Sequence, residues 1–208
     1  MIGRDWPAEA ESMIGLKRLK NIEDCIQDVI ANGVEGDLIE TGVWRGGATI
    51  YMKAVLQTLG DAERIVWVAD SFEGLPPPDT EKYPLDANCD LSELSELAIS
   101  MEEVKANFEK YGLLDERVKF LKGWFKDTLP KAPFEKLCLA RLDGDLYEST
   151  MDALKNLYPK LSPGGYCIID DWGIGPGAKQ AVLDYCTEHG HKIEVQDIDG
   201  AGVFWKKS

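Results

Sequence analysis

The sequence predicts an α/β fold: a doubly wound, mostly parallel seven-stranded sheet that closes with a C-terminal antiparallel hairpin. Three observations lead there. Short β-rich runs alternate with helical runs along the chain, the pattern of a sheet with helices on both faces. Successive β-rich runs end in an acid, at Glu40, Asp70, Asp143 and the pair Asp170-Asp171. The first of these runs enters its helix through three glycines, Gly42, Gly46 and Gly47. A length of 208 residues suits one such domain with a full core and is too short for two with a cleft between them.

Taken in order, the chain first predicts an N-terminal helical region over 8–32. From about residue 15, Leu19, Ile22, Ile26, Val29 and Ile30 recur on one helical face, and Asn32-Gly33 supplies the stop. The basic cluster over 17–20 reads as the solvated face of that helix. A strand over about 37–40 follows, then a helix through Ala48, Ile50, Ala54, Val55 and Leu59, then a strand over 64–69 that ends at Asp70. A strand-helix-strand unit with an acid after its second strand is the plan that holds a nucleoside, the acid accepting ribose hydroxyls; the alternative makes Asp70 a turn or cap residue.

Residues 71–88 carry Gly74, Pro76, Pro77, Pro78 and Pro84 among several acids, too irregular for strand or helix. Helical spacing returns over 92–111 through Leu94, Leu97, Met101, Val104, Phe108 and Tyr111. Together, 71–111 reads as a lid. Strands are expected over 118–122, 137–142 and 165–170, with an amphipathic helix over 149–161 between the last two. A helix over 178–189 then leads to a hairpin of strands 192–197 and 202–205 turning at Asp199-Gly200.

A formal charge of -14 opposes nucleic-acid backbones and anionic membranes, so neither is an expected partner. Cys25, Cys89, Cys138, Cys167 and Cys186 are scattered without a Cys-x-x-Cys pair, which reads as reduced and mostly buried thiols rather than a disulfide framework or a zinc site. With no apolar run long enough to span a bilayer and no leader pattern, the expected location is the cytoplasm.

The stretch from Leu38 to Gly47 reads either as a cofactor loop or as an ordinary strand-to-helix turn. It lacks the Gly-Lys-Ser/Thr of a phosphate cradle and the spacing of a dinucleotide loop. In a parallel sheet, ligands gather at the carboxyl ends of the strands. Five carboxylates at that edge would repel one another, so a cation is expected there: a divalent metal or a positively charged cofactor. Asp143, Asp170 and Asp171 offer three oxygen donors, which suit Mg²⁺ better than zinc. Trp124, just past Gly123 and the third strand, could cover an adenine or belong to the core. His189 and His191 read as surface residues, and no Ser or Cys stands in a nucleophile context.

Four ordered motifs resemble the macrocin O-methyltransferase family of S-adenosylmethionine-dependent, Mg²⁺-dependent enzymes. They are Ile39-Glu40-Thr41-Gly42-Val43-Trp44-Arg45-Gly46-Gly47, Asp70-Ser71-Phe72-Glu73-Gly74-Leu75-Pro76, Asp143-Gly144-Asp145-Leu146-Tyr147-Glu148-Ser149-Thr150, and Leu161-Ser162-Pro163-Gly164-Gly165 leading into Asp170-Asp171. The resemblance implies a class I methyltransferase fold. It also implies that Glu40, Thr41, Gly42, Arg45 and Gly47 hold the methionine part of the cofactor, Asp70 and Ser71 the ribose, and Gly123 and Trp124 the adenine region. Asp143, Asp170 and Asp171 would bind the metal, Asp143 also serving as general base with Asp145 as second choice. The expected reaction is methylation of a hydroxyl on a sugar or glycosylated small molecule in antibiotic or other specialised-metabolite biosynthesis. A phenol acceptor, and from another class an inactive nucleoside-binding module, stay open, as does a homodimer.

Overall fold

The protein's computed structural model describes residues 7–208. Strands β1 (Asp37–Thr41), β2 (Val66–Asp70), β3 (Val118–Lys122), β4 (Leu137–Leu142), β5 (Leu161–Ile169), β6 (Gln196–Asp197) and β7 (Val203–Lys206) form one sheet in the order β3-β2-β1-β4-β5-β7-β6. The first five strands run parallel, and β7 is antiparallel to both β5 and β6. This is the expected doubly wound sheet with its terminal hairpin. The strand order reverses between β1 and β4, which opens a crevice at the carboxyl ends of the central strands.

Helices cover both faces. On one side α1 (Gly15–Ala31) and α2 (Gly47–Thr58) pack Ile22, Ile26, Val29, Met52 and Leu56 against Leu38 and Leu139. On the other, α5 (Tyr147–Leu157) and α6 (Pro176–His189) pack Leu154, Leu157, Ala181 and Tyr185 against Ile39, Ala140 and Leu142. Adjacent residues of β1 thus serve opposite faces, as the pleat requires. Between β2 and β3, α3 (Met101–Lys110) buries Val104 and Phe108 completely. A short α4 (Phe125–Thr128), which the sequence reading did not anticipate, follows β3.

Several expectations are corrected. Residues 8–14 are extended or bent rather than helical. The helix expected over 92–111 divides into a 3-10 turn, Ser95–Leu97, and α3, because the Ser100 hydroxyl accepts the Glu103 amide (3.1 Å) and starts a new helix there. Since α3 is anchored by Val104 and Phe108, the irregular region ends at residue 100 and not at 111. The basic cluster over 17–20 is not uniformly solvated: Lys17 and Lys20 are exposed, whereas Arg18 is buried and ion-paired. β5 begins at Leu161 rather than at residue 165, with a register shift against β4 that absorbs Gly164 and Gly165. All five cysteines are free, four of them buried, and among the described residues no helix is long and apolar enough to cross a membrane.

Candidate active site

The crevice at the carboxyl ends of β1, β2, β4 and β5 is a cavity of about 880 Å³. Its floor is set by the sheet's own hydrogen bonds, which continue past the strand ends: Asp143 N donates to Thr41 O (2.9 Å), Asp170 N to Leu142 O (2.9 Å) and Gly42 N to Ala69 O (2.9 Å). Gly42, at φ 81°, sits so close to β4 that a Cβ would collide with the Asp143 carbonyl oxygen. Only glycine lets the two strand ends approach this far. Gly47 is constrained in the same way by the Glu11 carbonyl, to which it donates its amide at 2.9 Å.

The centre of the floor is Arg141, in register with Glu40 on the neighbouring strand. Its Nη1 donates to Glu40 and, at 2.8 Å, to Asp143, and its Nη2 donates to Asp170. The second oxygen of Asp170 accepts from Arg18 of α1, whose Nε also donates to Asp199 in the β6–β7 turn (3.0 Å). Beside this network, Asp143, Asp145 and Asp171 each offer a carboxylate oxygen within 4.8 Å of the other two. Asp145 reaches that position through a left-handed backbone (φ 57°), held by its amide donating to Asp171 Oδ2 (2.9 Å). The triad expected from the sequence was Asp143, Asp170 and Asp171; in the structure Asp145 completes the close group, while both oxygens of Asp170 face arginines.

The carboxylates outnumber the two guanidiniums, and their proton affinities record it. Burial, then the charge of Asp170, pushes Asp143 up to about 6. Burial, then Asp143, pushes Asp145 up to about 7. Asp171 is raised well above the usual carboxylate range by burial and by its three acidic neighbours. Glu40 is pushed up to about 8 by burial, against the pull of Arg141. Glu40 Oε2 and Arg141 Nε are buried without a hydrogen-bond partner among the described residues. The floor therefore fits additional positive charge: the close carboxylate group suits a hard divalent cation with oxygen ligands, and the free oxygen of Glu40 suits an ammonium donor.

Of the other sequence-predicted residues, Gly42, Gly47, Asp70, Ser71 and Trp124 line the cavity. Asp70 accepts the amides of Val43 (2.8 Å) and Phe72 (2.7 Å), and burial raises its proton affinity. Thr41, Arg45 and Gly123 do not line it. Thr41 is buried behind the floor, its hydroxyl unpartnered among the described residues. Arg45 turns away, stacking over Trp44 and donating to the carbonyls of Pro7, Ala8 and Ala10 at 3.0 to 3.2 Å. Gly123 serves the turn after β3 through its amide to Asp70 O (2.9 Å). His189 and His191 stack on Tyr185 at the end of α6, away from the cavity lining.

Sequence reading missed Arg18, Arg141 and the wall formed by Glu11 to Ile14. Arg141 did leave a signal: it stands inside Leu-Cys-Leu-Ala-Arg-Leu, an apolar central strand, where a charge must have a partner. Arg18 left none, because one basic residue in a helix rich in them gives no sign of its burial.

A seven-stranded sheet in this order, parallel except for the reversed β7, with a glycine turn after β1, is the fold of a class I methyltransferase. A family model described as macrocin-O-methyltransferase (TylF) matches residues 1–207, and the chain belongs to that family of O-methyltransferases. It is 56% identical over 207 residues to the 8-demethyl-8-(2,3-dimethoxy-alpha-L-rhamnosyl)-tetracenomycin-C 4'-O-methyltransferase of Streptomyces olivaceus, covering 99% of this chain and 79% of that one. Demethyldecarbamoylnovobiocin O-methyltransferase of Streptomyces niveus is 54% identical with the same coverage. The solved structure of the O-methyltransferase NovP superposes with a TM-score of 0.97 at 54% identity, over 99% of this chain and 86% of that chain. The calicheamicin methyltransferase CalS11, at 18% identity and a TM-score of 0.72, shares the fold.

Proposed function

We propose that the protein is an S-adenosylmethionine- and Mg²⁺-dependent O-methyltransferase that methylates a sugar hydroxyl of a glycosylated small molecule in antibiotic biosynthesis. The observation that carries this reading is the close group of Asp143, Asp145 and Asp171, which lines the same cavity as Glu40. The names of the relatives agree with it: one is named for a rhamnosyl-tetracenomycin, and another, 48% identical over 209 residues, is the mycinamicin III 3''-O-methyltransferase of Micromonospora griseorubida.

When bound, S-adenosylmethionine supplies an electrophilic methyl group and a divalent cation supplies charge that favours ionisation of the acceptor hydroxyl. The chain's own residues do the rest. Glu40 would hold the ammonium group of the methionine part. Asp70, at the end of β2, would accept ribose hydroxyls, and Trp124 would cover the adenine. Asp143, Asp145 and Asp171 would hold the cation, with Asp170 fixed by its two arginines. Asp143, with Asp145 beside it as second choice, would take the proton of the acceptor hydroxyl. Residues 71–100 close the cavity from above, so that water is kept from the sulfonium.

The test is methyl transfer from S-adenosylmethionine to glycosides bearing free vicinal hydroxyls, compared with simple catechols, with and without EDTA. Turnover of glycosides that EDTA abolishes and Mg²⁺ restores is expected. Full activity in EDTA would defeat the metal assignment, and preference for catechols would defeat the sugar assignment.

A further inference from the structure

Arg141 hydrogen-bonds both Glu40 and Asp143, at the two ends of the cavity floor described above. Its side chain is 1% exposed and enters from β4, whose other residues are apolar. Nη1 is shared between Glu40 and Asp143, and Nη2 is held by Asp170. Glu40 keeps one oxygen, Oε2, buried and without a donor among the described residues. A carboxylate oxygen withdrawn from water stays costly until a ligand supplies that donor. Asp143, on the other side of the same nitrogen, belongs to the close carboxylate group with Asp145 and Asp171.

We propose that Arg141 is a positioning residue that couples these two ends, so that the methyl donor and a divalent cation each bind more tightly when the other is present. The proposal rests on the reading that both bind here. Its direction follows from the shared nitrogen. A divalent cation beside Asp143 neutralises the charge that competes with Glu40 for the guanidinium, so its attraction falls more fully on Glu40, and a carboxylate held firmly through one oxygen presents the other in a single direction. Linkage makes the effect reciprocal. A lysine could not do the same, since one ammonium point charge cannot bridge three carboxylates as a planar guanidinium does.

The experiment is titration calorimetry of the full chain with S-adenosylhomocysteine, with and without saturating Mg²⁺, and with Mg²⁺, with and without S-adenosylhomocysteine, for the wild type and Arg141→Lys. In the wild type each ligand should raise the affinity of the other by about 5-fold or more, the lower end of ordinary coupling between sites. In Arg141→Lys the affinity for S-adenosylhomocysteine should fall by about 10-fold, the order expected when a charged hydrogen-bonded partner is displaced, and the mutual enhancement should fall to near one. Glu40→Gln, which keeps the side chain's size, decides the matter if the lysine variant does not fold: there too the enhancement should vanish while Mg²⁺ still binds. A purely structural role would lower the thermal midpoint of Arg141→Lys and leave both affinities and their enhancement at wild-type values, and that result overturns the proposal. Mg²⁺ that binds the wild type without altering S-adenosylhomocysteine affinity overturns the coupling alone. Mg²⁺ that does not bind the wild type overturns the metal reading and the coupling with it.

Discussion

On the floor of the cavity, Glu40 and Arg141 are paired across β1 and β4, and the ladder bonds run on past the strand ends to Asp143 and to Asp170, which follows β5. Over them, residues 71–100 have no strand and only two 3-10 turns, Pro84–Asp86 and Ser95–Leu97. That roof is anchored at its two ends by Phe72 and Ile99, buried with Val68 and Phe108, and between them by a few polar contacts to its edges. Asp86, itself buried, accepts the amides of Tyr147 (2.7 Å) and Glu148 (3.4 Å) at the start of α5, and Trp44 Nε1 donates to Glu96 O (2.8 Å). Leu91 and Leu97 reach down to the cavity. The difference is one of how position is set: by many cooperative bonds and buried charge below, by two apolar ends and single exchangeable bonds above. Changes to the floor should therefore alter chemistry or folding, and changes to the roof should alter closure and binding.

The sharpest break is Asp143→Asn. The shape survives while an anionic ligand and a proton acceptor are lost, so turnover should fall by about 10²- to 10⁴-fold, with S-adenosylhomocysteine affinity changed far less. Calorimetry beside steady-state kinetics checks this, and equal losses in both would place Asp143 in cofactor binding instead.

Gly42→Ala should be the most damaging change to folding. The added methyl meets backbone rather than a movable side chain, at a φ that alanine resists. A loss of about 3 kcal/mol or more is expected, read as a lowered urea midpoint. A near-neutral effect would mean that the ends of β1 and β4 can separate, and that the floor is no more rigid than the roof.

A third prediction uses pH on the metal-free protein. Asp143, Asp145 and Glu40 have folded-state proton affinities raised to about 6, about 7 and about 8. The folded state thus holds protons that the unfolded state has released. Stability should fall as pH rises from about 4 to 8, opposite to the usual carboxylate behaviour. Thermal midpoints across that range would show it, and saturating Mg²⁺ should flatten the slope if the cluster binds the ion.

The smallest effect belongs to the roof. Asp86→Ala removes the acceptor that caps α5 and pins the loop, and should cost about 1 to 2 kcal/mol, with faster proteolysis inside 71–100. Saturating S-adenosylhomocysteine should slow that cleavage. Unchanged cleavage in the variant and with ligand would show that the roof is as fixed as the floor.

Periodicity and strand-terminal acids were enough to foretell the α/β class, the seven strands, the terminal hairpin and the crevice that gathers Glu40, Asp70, Asp143, Asp170 and Asp171. These follow from local rules, since burial on both faces writes apolar runs and a parallel sheet collects its ligands at one edge. The motifs from Ile39 to Gly47 and from Asp143 to Thr150 were sufficient to point to the family. What the sequence could not settle was which charges face which. Arg18 and Asp170 meet across 152 positions of chain, Arg45 turns to the carbonyls of Pro7, Ala8 and Ala10, and Asp145 enters the carboxylate group through a left-handed turn. Each depends on contacts between distant segments and on the balance of desolvation against pairing inside the closed fold. Only tertiary structure decides that balance, because an exposed arginine and a buried one are written with the same letter.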